Sequence, residues 1–477
     1  MKIKKVKLVV IMLVTFLASL FLAISVSTSA KSIQLTVDVN RILADVSHKP
    51  LGIGLNFVGD QANISAPLED IKVGTLRFAT NEYYLFDQSE PDNPKVAIQD
   101  PNLWPVKSFA KPDGTWWSKM NFDDFMAVCQ STNAEPFIVI AIDAIAYQGT
   151  APHASPEEVL KSAVDWVNYA NLVKGYQVKY WEIGNESNLK NSELINWTPE
   201  KYAQTVVQFS QAMKGIDPTI KIGANGMRID KNQDWWGEVM PIIKDDVDYL
   251  ITHQYSWHQD YQEWKNSRDE YNYNLKDAVK AIKTYNPNLR LNVTENSSFN
   301  PSISHPNNTW KMLHNFEILG ETLSFNKVDY VHFWTSRWLE SDPLAVDNSA
   351  FDTNYQLTPI GYPLKIWNTF LKQKMVYTTK AAETVRSWAS YDSTDNSLSI
   401  FLLNKNEVSQ NVNINLNSYI NELDHECWIL KGASPQSRNI TWNKSDSVFL
   451  RGSKIKTKLE PLSVTVISFP DSKLESS

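Results

Sequence analysis

Cysteine is nearly missing from this chain: only Cys129 and Cys427 occur in 477 residues, far apart in sequence. That excludes a disulfide framework and leaves even a single bridge unexpected. Cys129 shares a face with Phe122, Phe125 and Met126 at helical spacing, so it reads as a buried thiol. Basic residues are not in excess. The net charge of -7 gives no electrostatic reason to bind nucleic acid or an anionic membrane, and neutral substrates fit best. Metal-ligand spacing is missing as well. His253 and His258 flank Tyr255 and Trp257 without the carboxylate or cysteine pattern of a metal site, so no metal or cofactor is expected. The run Asp245, Asp246, Asp248 reads as a solvated helix end, with a calcium site as the alternative. No Ser-His-Asp set stands out.

Long apolar runs are absent with one exception. Lys2, Lys4, Lys5 and Lys7 precede an apolar stretch from Leu8 to Val26, followed by Thr28-Ser29-Ala30 with small residues where a signal peptidase reads. Residues 1–30 are therefore expected to be an export signal cleaved after Ala30, which makes the protein secreted or extracytoplasmic. The stretch is also long enough to remain as an uncleaved membrane anchor.

Aromatic residues, in contrast, are plentiful, at 12% with 17 tryptophans. Trp104, Trp116, Trp117, Trp235, Trp236, Trp257 and Trp264 fall in stretches that read as loops. Indole faces there suit a sugar-binding groove; the alternative is that they pack beneath the loops. At this length, one large domain and a smaller one are expected rather than a single core.

From Leu51 onward, short apolar runs alternate with amphipathic helical stretches: Leu51 to Phe57, Val73 to Phe78, Pro136 to Ile142, Val178 to Ile183, Thr219 to Ala224, Val247 to His253, Leu289 to Thr294 and Asp329 to Trp334. Ser155-Pro156 and Thr198-Pro199 open two of the helices, the second expected to close at Gly215. Eight strand-helix repeats predict an α/β fold, a (β/α)8 TIM barrel, over residues 46–373. An open doubly wound sheet competes, but no glycine-rich phosphate loop follows the first strand. After Tyr362 to Phe370 the pattern changes to short alternating runs, such as Leu398, Ile400, Leu402. These predict an accessory antiparallel β-sandwich from residues 31–45 plus 374–470, completed by Ile33 to Val39. Residues 471–477 are expected to be a disordered tail.

Two strands end on glutamate: Val178 to Glu186, with Asn185 before the acid, and Leu289 to Glu295. A barrel presents strand C-termini on its functional face, and paired carboxylates are what glycosidic bond cleavage requires. The alternatives are a carboxylate at a helix N-terminus for Glu186 and a loop-facing acid for Glu295.

Trp181 to Glu186 resembles the acid/base motif of the clan A glycoside hydrolases, most closely the α-L-arabinofuranosidase family and its neighbours. Thr294-Glu295 resembles their nucleophile motif. The resemblance implies a retaining glycosidase with Glu186 as general acid/base and Glu295 as nucleophile. It further implies that Asn185 binds the sugar 2-hydroxyl, that His253 and Tyr255 stand beside the pair with Tyr255 orienting the nucleophile, and that Trp334 lies under the reactive sugar. Arg77 either holds Glu295 ionised or pairs structurally with Glu182. One departure is plain: where these families commonly carry a proline-glycine-glycine turn, this chain has Ala79-Thr80-Asn81-Glu82. An endo-acting β-glycanase and a non-catalytic carbohydrate-binding barrel remain as rivals. The expected partner is an oligo- or polysaccharide, with a membrane involved only if the N-terminal segment is uncleaved.

Overall fold

The computed structural model describes residues 32–55, 64–78, 84–103, 120–189, 194–227, 234–256, 258–267, 272–299, 306–337, 347–379, 383–419 and 425–470. The expected export signal, the Ala79 to Glu82 stretch and the expected C-terminal tail lie outside these residues. No helix among the described residues is long and apolar enough to cross a membrane.

Eight parallel strands close into a barrel in chain order: Leu51–Leu55, Thr75–Phe78, Glu135–Ile140, Tyr180–Ile183, Lys221–Asn225, Tyr249–Ser256, Arg290–Ser298 and Val328–Phe333. They are nearly continuous apolar runs because one face fills the barrel and the other packs beneath helices. The sixth and seventh strands run several residues past their expected ends. Polar residues there, Ser256, Ser297 and Ser298, break the apolar pattern while remaining buried.

The helices start where their capping residues stand. Ser155 accepts from the Glu158 amide, and Glu158 returns a bond to the Ser155 amide, opening Pro156–Val167 with proline in the first turn. Thr198 caps Pro199–Ile216 in the same position. That helix ends on Asp217 in extended conformation, so Gly215 lies within the last turn and not beyond it.

Tyr84–Leu85 and Lys95–Val96 pair as a small two-stranded sheet, and ten further strands form one sheet, antiparallel except where Ile33–Asp45 runs parallel to Gln410–Asn417. That first strand extends beyond Val39, and its later half pairs antiparallel with Lys374–Thr378. Ser397–Asn404 is buried at every position. Its alternation explains this: Leu398, Ile400 and Leu402 pack into the sheet's own core, whereas Phe401 and Leu403 join the barrel's core.

Charged groups are buried where sheet and barrel meet. Lys405 Nζ lies 2.7 Å from Glu317 Oε2, with the two side chains 0% and 1% exposed. The Trp264 indole N–H donates to the same carboxylate oxygen at 2.8 Å, and its ring lies 4.7 Å below the Lys405 ammonium. Desolvation lowers the Lys405 pKa, against the pull of Glu317. Removing one partner strands the other charge, so Lys405→Met is expected to destabilise the protein by roughly 3–5 kcal/mol. Adding Glu317→Gln should recover part of that loss in chemical denaturation; no loss in the single variant would show that the pair is not needed.

Candidate active site

Glu186 does not continue its strand. Gly184 has φ +79° and Glu186 has φ +51°, so the chain turns sharply just after Ile183. Only glycine adopts such angles freely, and a glutamate there carries strain that its surroundings must hold. The turn runs into the short 3-10 segment Ser187–Leu189. A carboxylate 28% exposed results, at the C-terminal mouth of the barrel.

Glu295 is aimed differently. The seventh strand pairs Val293 with Thr252 and Glu295 with His253, so Thr294 is an extra residue, a β-bulge. The bulge lets Thr294 and Glu295 both meet His253: Thr294 Oγ1 lies 3.4 Å from His253 Nε2, and Glu295 Oε2 lies 3.3 Å from Nδ1.

Arg77, 1% exposed on the second strand, joins two other expected site residues and Glu182. Its Nε donates to Glu182 at 3.0 Å, Nη1 to Glu295 Oε1 at 2.9 Å and Nη2 to Asn185 Oδ1 at 2.8 Å. Both carboxylates considered as partners for this arginine are therefore bonded to it at once. Desolvation disfavours the Arg77 cation, but Glu182 and Glu295 outweigh it and raise its pKa. At Glu182 burial wins, raising that carboxyl's pKa despite Arg77.

The Tyr255 hydroxyl donates to Glu295 Oε2. His253 Nδ1 lies 2.8 Å from Glu186 Oε1 as well as facing Glu295, a place between two carboxylates that suits a ring N–H. Desolvation opposes the charged imidazole, but Glu295 and Glu186 prevail and raise the His253 pKa. Trp334 stands half-buried at the end of the eighth strand, against Gly54 of the first, where a side-chain carbon would lie 3.1 Å from its ring. The seven expected site residues thus converge on one end of the barrel, six of them joined through Arg77 and His253.

One donor atom from each of Glu186, His253 and Glu295 lies within 4.8 Å of the other two, a spacing a divalent cation could bridge. Arg77 and Tyr255 already engage both Glu295 oxygens, so an ion there would meet the arginine's charge and compete with two hydrogen bonds. The run from Asp245 to Asp248 is ion-paired instead: Lys244 with Asp245, and Lys214 and Lys221 with Asp248.

The aromatic groove needs correction. Trp235 and Trp236 open the helix Trp235–Ile243 at 2% and 4% exposure, and Trp264 is fully buried at the sheet junction. Trp104, Trp116, Trp117 and Trp257 lie outside the described residues. Sequence reading also passed over the support behind the strand ends. His314 joins Ser298 and Ser256 at 2.8 Å each, tying the seventh strand to the sixth just beyond Glu295 and Tyr255. The polar ends of those strands were the available signal.

A raised folded-state pKa means that protonated His253 stabilises the fold below its unfolded value of about 6.5, and that this contribution fades as pH rises through the folded value. The stability difference between wild type and His253→Asn should therefore shrink from pH 6 to pH 9 in urea titrations. A difference that grows with pH would contradict this.

The alpha-L-arabinofuranosidase 1 domain matches residues 101–274, the stretch carrying Asn185, Glu186, His253 and Tyr255. Alpha-L-arabinofuranosidase C of Emericella nidulans is 25% identical over 183 residues, 34% of this chain and 32% of that protein. The chain thus matches about a third of that relative's length. An α-L-arabinofuranosidase from Thermotoga maritima, solved as an arabinose complex, shares the fold over 92% of this chain and 100% of its own, with 18% identity and a TM-score of 0.70. A Paenibacillus polymyxa xyloglucanase of glycoside hydrolase family 44 aligns over 93% of this chain and 100% of its own, with 14% identity and a TM-score of 0.65. Domain match and shared barrel fold together make this chain similar to the α-L-arabinofuranosidases among the glycoside hydrolases.

Proposed function

We propose that the protein is a secreted, retaining glycosidase that removes α-L-arabinofuranosyl groups from oligo- or polysaccharides. The observation that carries this reading is the pair of strand-end carboxylates, with one oxygen of each within 4.8 Å of the other. Retaining enzymes hold their two carboxyls about 5–5.5 Å apart, whereas inverting ones leave about 6.5–9.5 Å for a water.

The two acids have different surroundings, and this supports different roles. Glu295 is 8% exposed and receives hydrogen bonds from the Arg77 cation and the Tyr255 hydroxyl, which hold its carboxylate in a fixed orientation for attack. Glu186, on the more open side, is the acid. It protonates the leaving oxygen as Glu295 attacks the anomeric carbon and forms a glycosyl ester. Having given up its proton, Glu186 draws one from the incoming water, whose oxygen attacks the anomeric carbon and releases Glu295. Asn185, fixed by Arg77 beside the acid, suits a bond to the sugar 2-hydroxyl. Half-buried Trp334 suits the underside of the ring.

A second reading is an endo-acting β-glycanase. The departure at Ala79 to Glu82 and the fold shared with a xyloglucanase favour it. The protein lacking residues 1–30 separates the two on arabinan, arabinoxylan, xylan and mixed-linkage glucan, with Glu295→Gln as the blank. Free arabinose alone is the expected product, and a ladder of oligosaccharides would move the enzyme to the endo-glycanases. Proton NMR in the first minutes should show retained configuration. Glu186→Ala should lose on the order of 10²–10⁴ in activity and regain turnover with azide as a glycosyl azide; activity equal to wild type would remove the assigned acid.

Secretion rests on the basic, apolar and small-residue order of residues 1–30. Protein recovered from the medium should begin at Lys31 by N-terminal sequencing. Recovery only from membranes, with the leader attached, would instead make it an anchor.

A further inference from the structure

The strained turn that carries Glu186 is held from behind by a small buried polar network. Asn225 ends the fifth barrel strand at 3% exposure, and Tyr202 lies in the helix Pro199–Ile216 at 0%. Asn225 Nδ2 donates to the Ile183 carbonyl at 2.7 Å, and Asn225 Oδ1 accepts from the Ser187 amide at 2.8 Å. The Tyr202 hydroxyl donates to the same Ile183 carbonyl at 3.0 Å and accepts from the Asn225 amide at 2.7 Å. One carboxamide therefore grips the chain immediately before Gly184 and immediately after Glu186, the two residues with positive φ.

Resting on the glycosidase reading above, we propose that Asn225, backed by Tyr202, is a positioning residue for the acid/base glutamate. It fixes the direction of the Glu186 carboxyl without touching the sugar. Three features support a role specific to this turn. The one carboxamide bonds to both flanks of the turn. It reaches from a different strand, so it sets the height of Glu186 relative to the barrel rim. The bonds also offset strain at a position where a glutamate would otherwise relax toward negative φ. A buried network of this kind holds geometry only while each member is satisfied.

The expected consequence is selective. An acid out of place hurts glycosides whose leaving groups need a proton and spares those that depart unaided. Asn225→Ala, Tyr202→Phe and Glu186→Ala should be compared with wild type on aryl α-L-arabinofuranosides from dinitrophenyl to phenyl, with thermal midpoints recorded. For Asn225→Ala, kcat/KM on the phenyl glycoside should fall about tenfold to hundredfold, part of the 10²–10⁴ a positioned acid supplies, against about threefold or less on the dinitrophenyl glycoside. Tyr202→Phe, which keeps the ring in the core, should show the same trend at smaller amplitude if Asn225→Ala fails to fold. Equal loss across all leaving groups, or no loss, in both variants would overturn the proposal. If Glu186→Ala shows the steep dependence while the other two do not, the glycosidase reading stands and the positioning role fails. A wild type inactive on the whole series would overturn both.

Discussion

The site depends on one buried cation. Arg77 has lost nearly all contact with water, and an unpaired guanidinium there would cost far more than the barrel's marginal stability allows. Two carboxylates and an amide oxygen replace its water, and each comes from a different place: Glu182 and Asn185 from the fourth strand and its turn, Glu295 from the seventh. Because a guanidinium presents its donors in a fixed fork, the three acceptors cannot drift independently. The electrostatic requirement thus becomes a geometric one, and it joins opposite sides of the barrel.

Charge alone does not separate the roles of two glutamates at one rim; backbone geometry does. A left-handed turn lifts Glu186 toward the opening, and a bulge swings Glu295 down beside Arg77 and Tyr255. His253 then spans the gap between them. The acids could not exchange places without exchanging these backbone features as well. Their different exposure follows from strand endings and not from the residue type, which is the same.

That division explains what was legible in the sequence. Strand-helix alternation, caps such as Ser155 and Thr198, and two apolar runs ending on glutamate are local patterns, and they disclosed the barrel and the acids. Neither the positive φ at Glu186 nor the extra residue Thr294 leaves a local signature, since both arise when strands are brought into register. The tryptophans misled for a related reason. Trp264 reads as a loop aromatic, yet its N–H finds Glu317 from a distant helix, so an indole with a polar edge sits in a fully buried place. Periodicity gives no hint of a partner 53 residues away.

The sheet at the other end of the chain is not independent of this arrangement. The helix Thr309–Leu323 follows the seventh strand and is buried along almost its whole length. On one side His314 ties Ser298 to Ser256 at the rim; on the other Glu317 meets Lys405 and Glu321 meets Arg386 of the sheet. A single helix therefore connects the strand that bears Glu295 to the sheet that contains the first and last described strands. Displacing the sheet would move that helix, and with it the hydrogen bonds that hold the sixth and seventh strand ends together. The accessory sheet thus braces this helix through Glu317 and Glu321, while His314 on the same helix holds the two strand ends beside the glutamate pair.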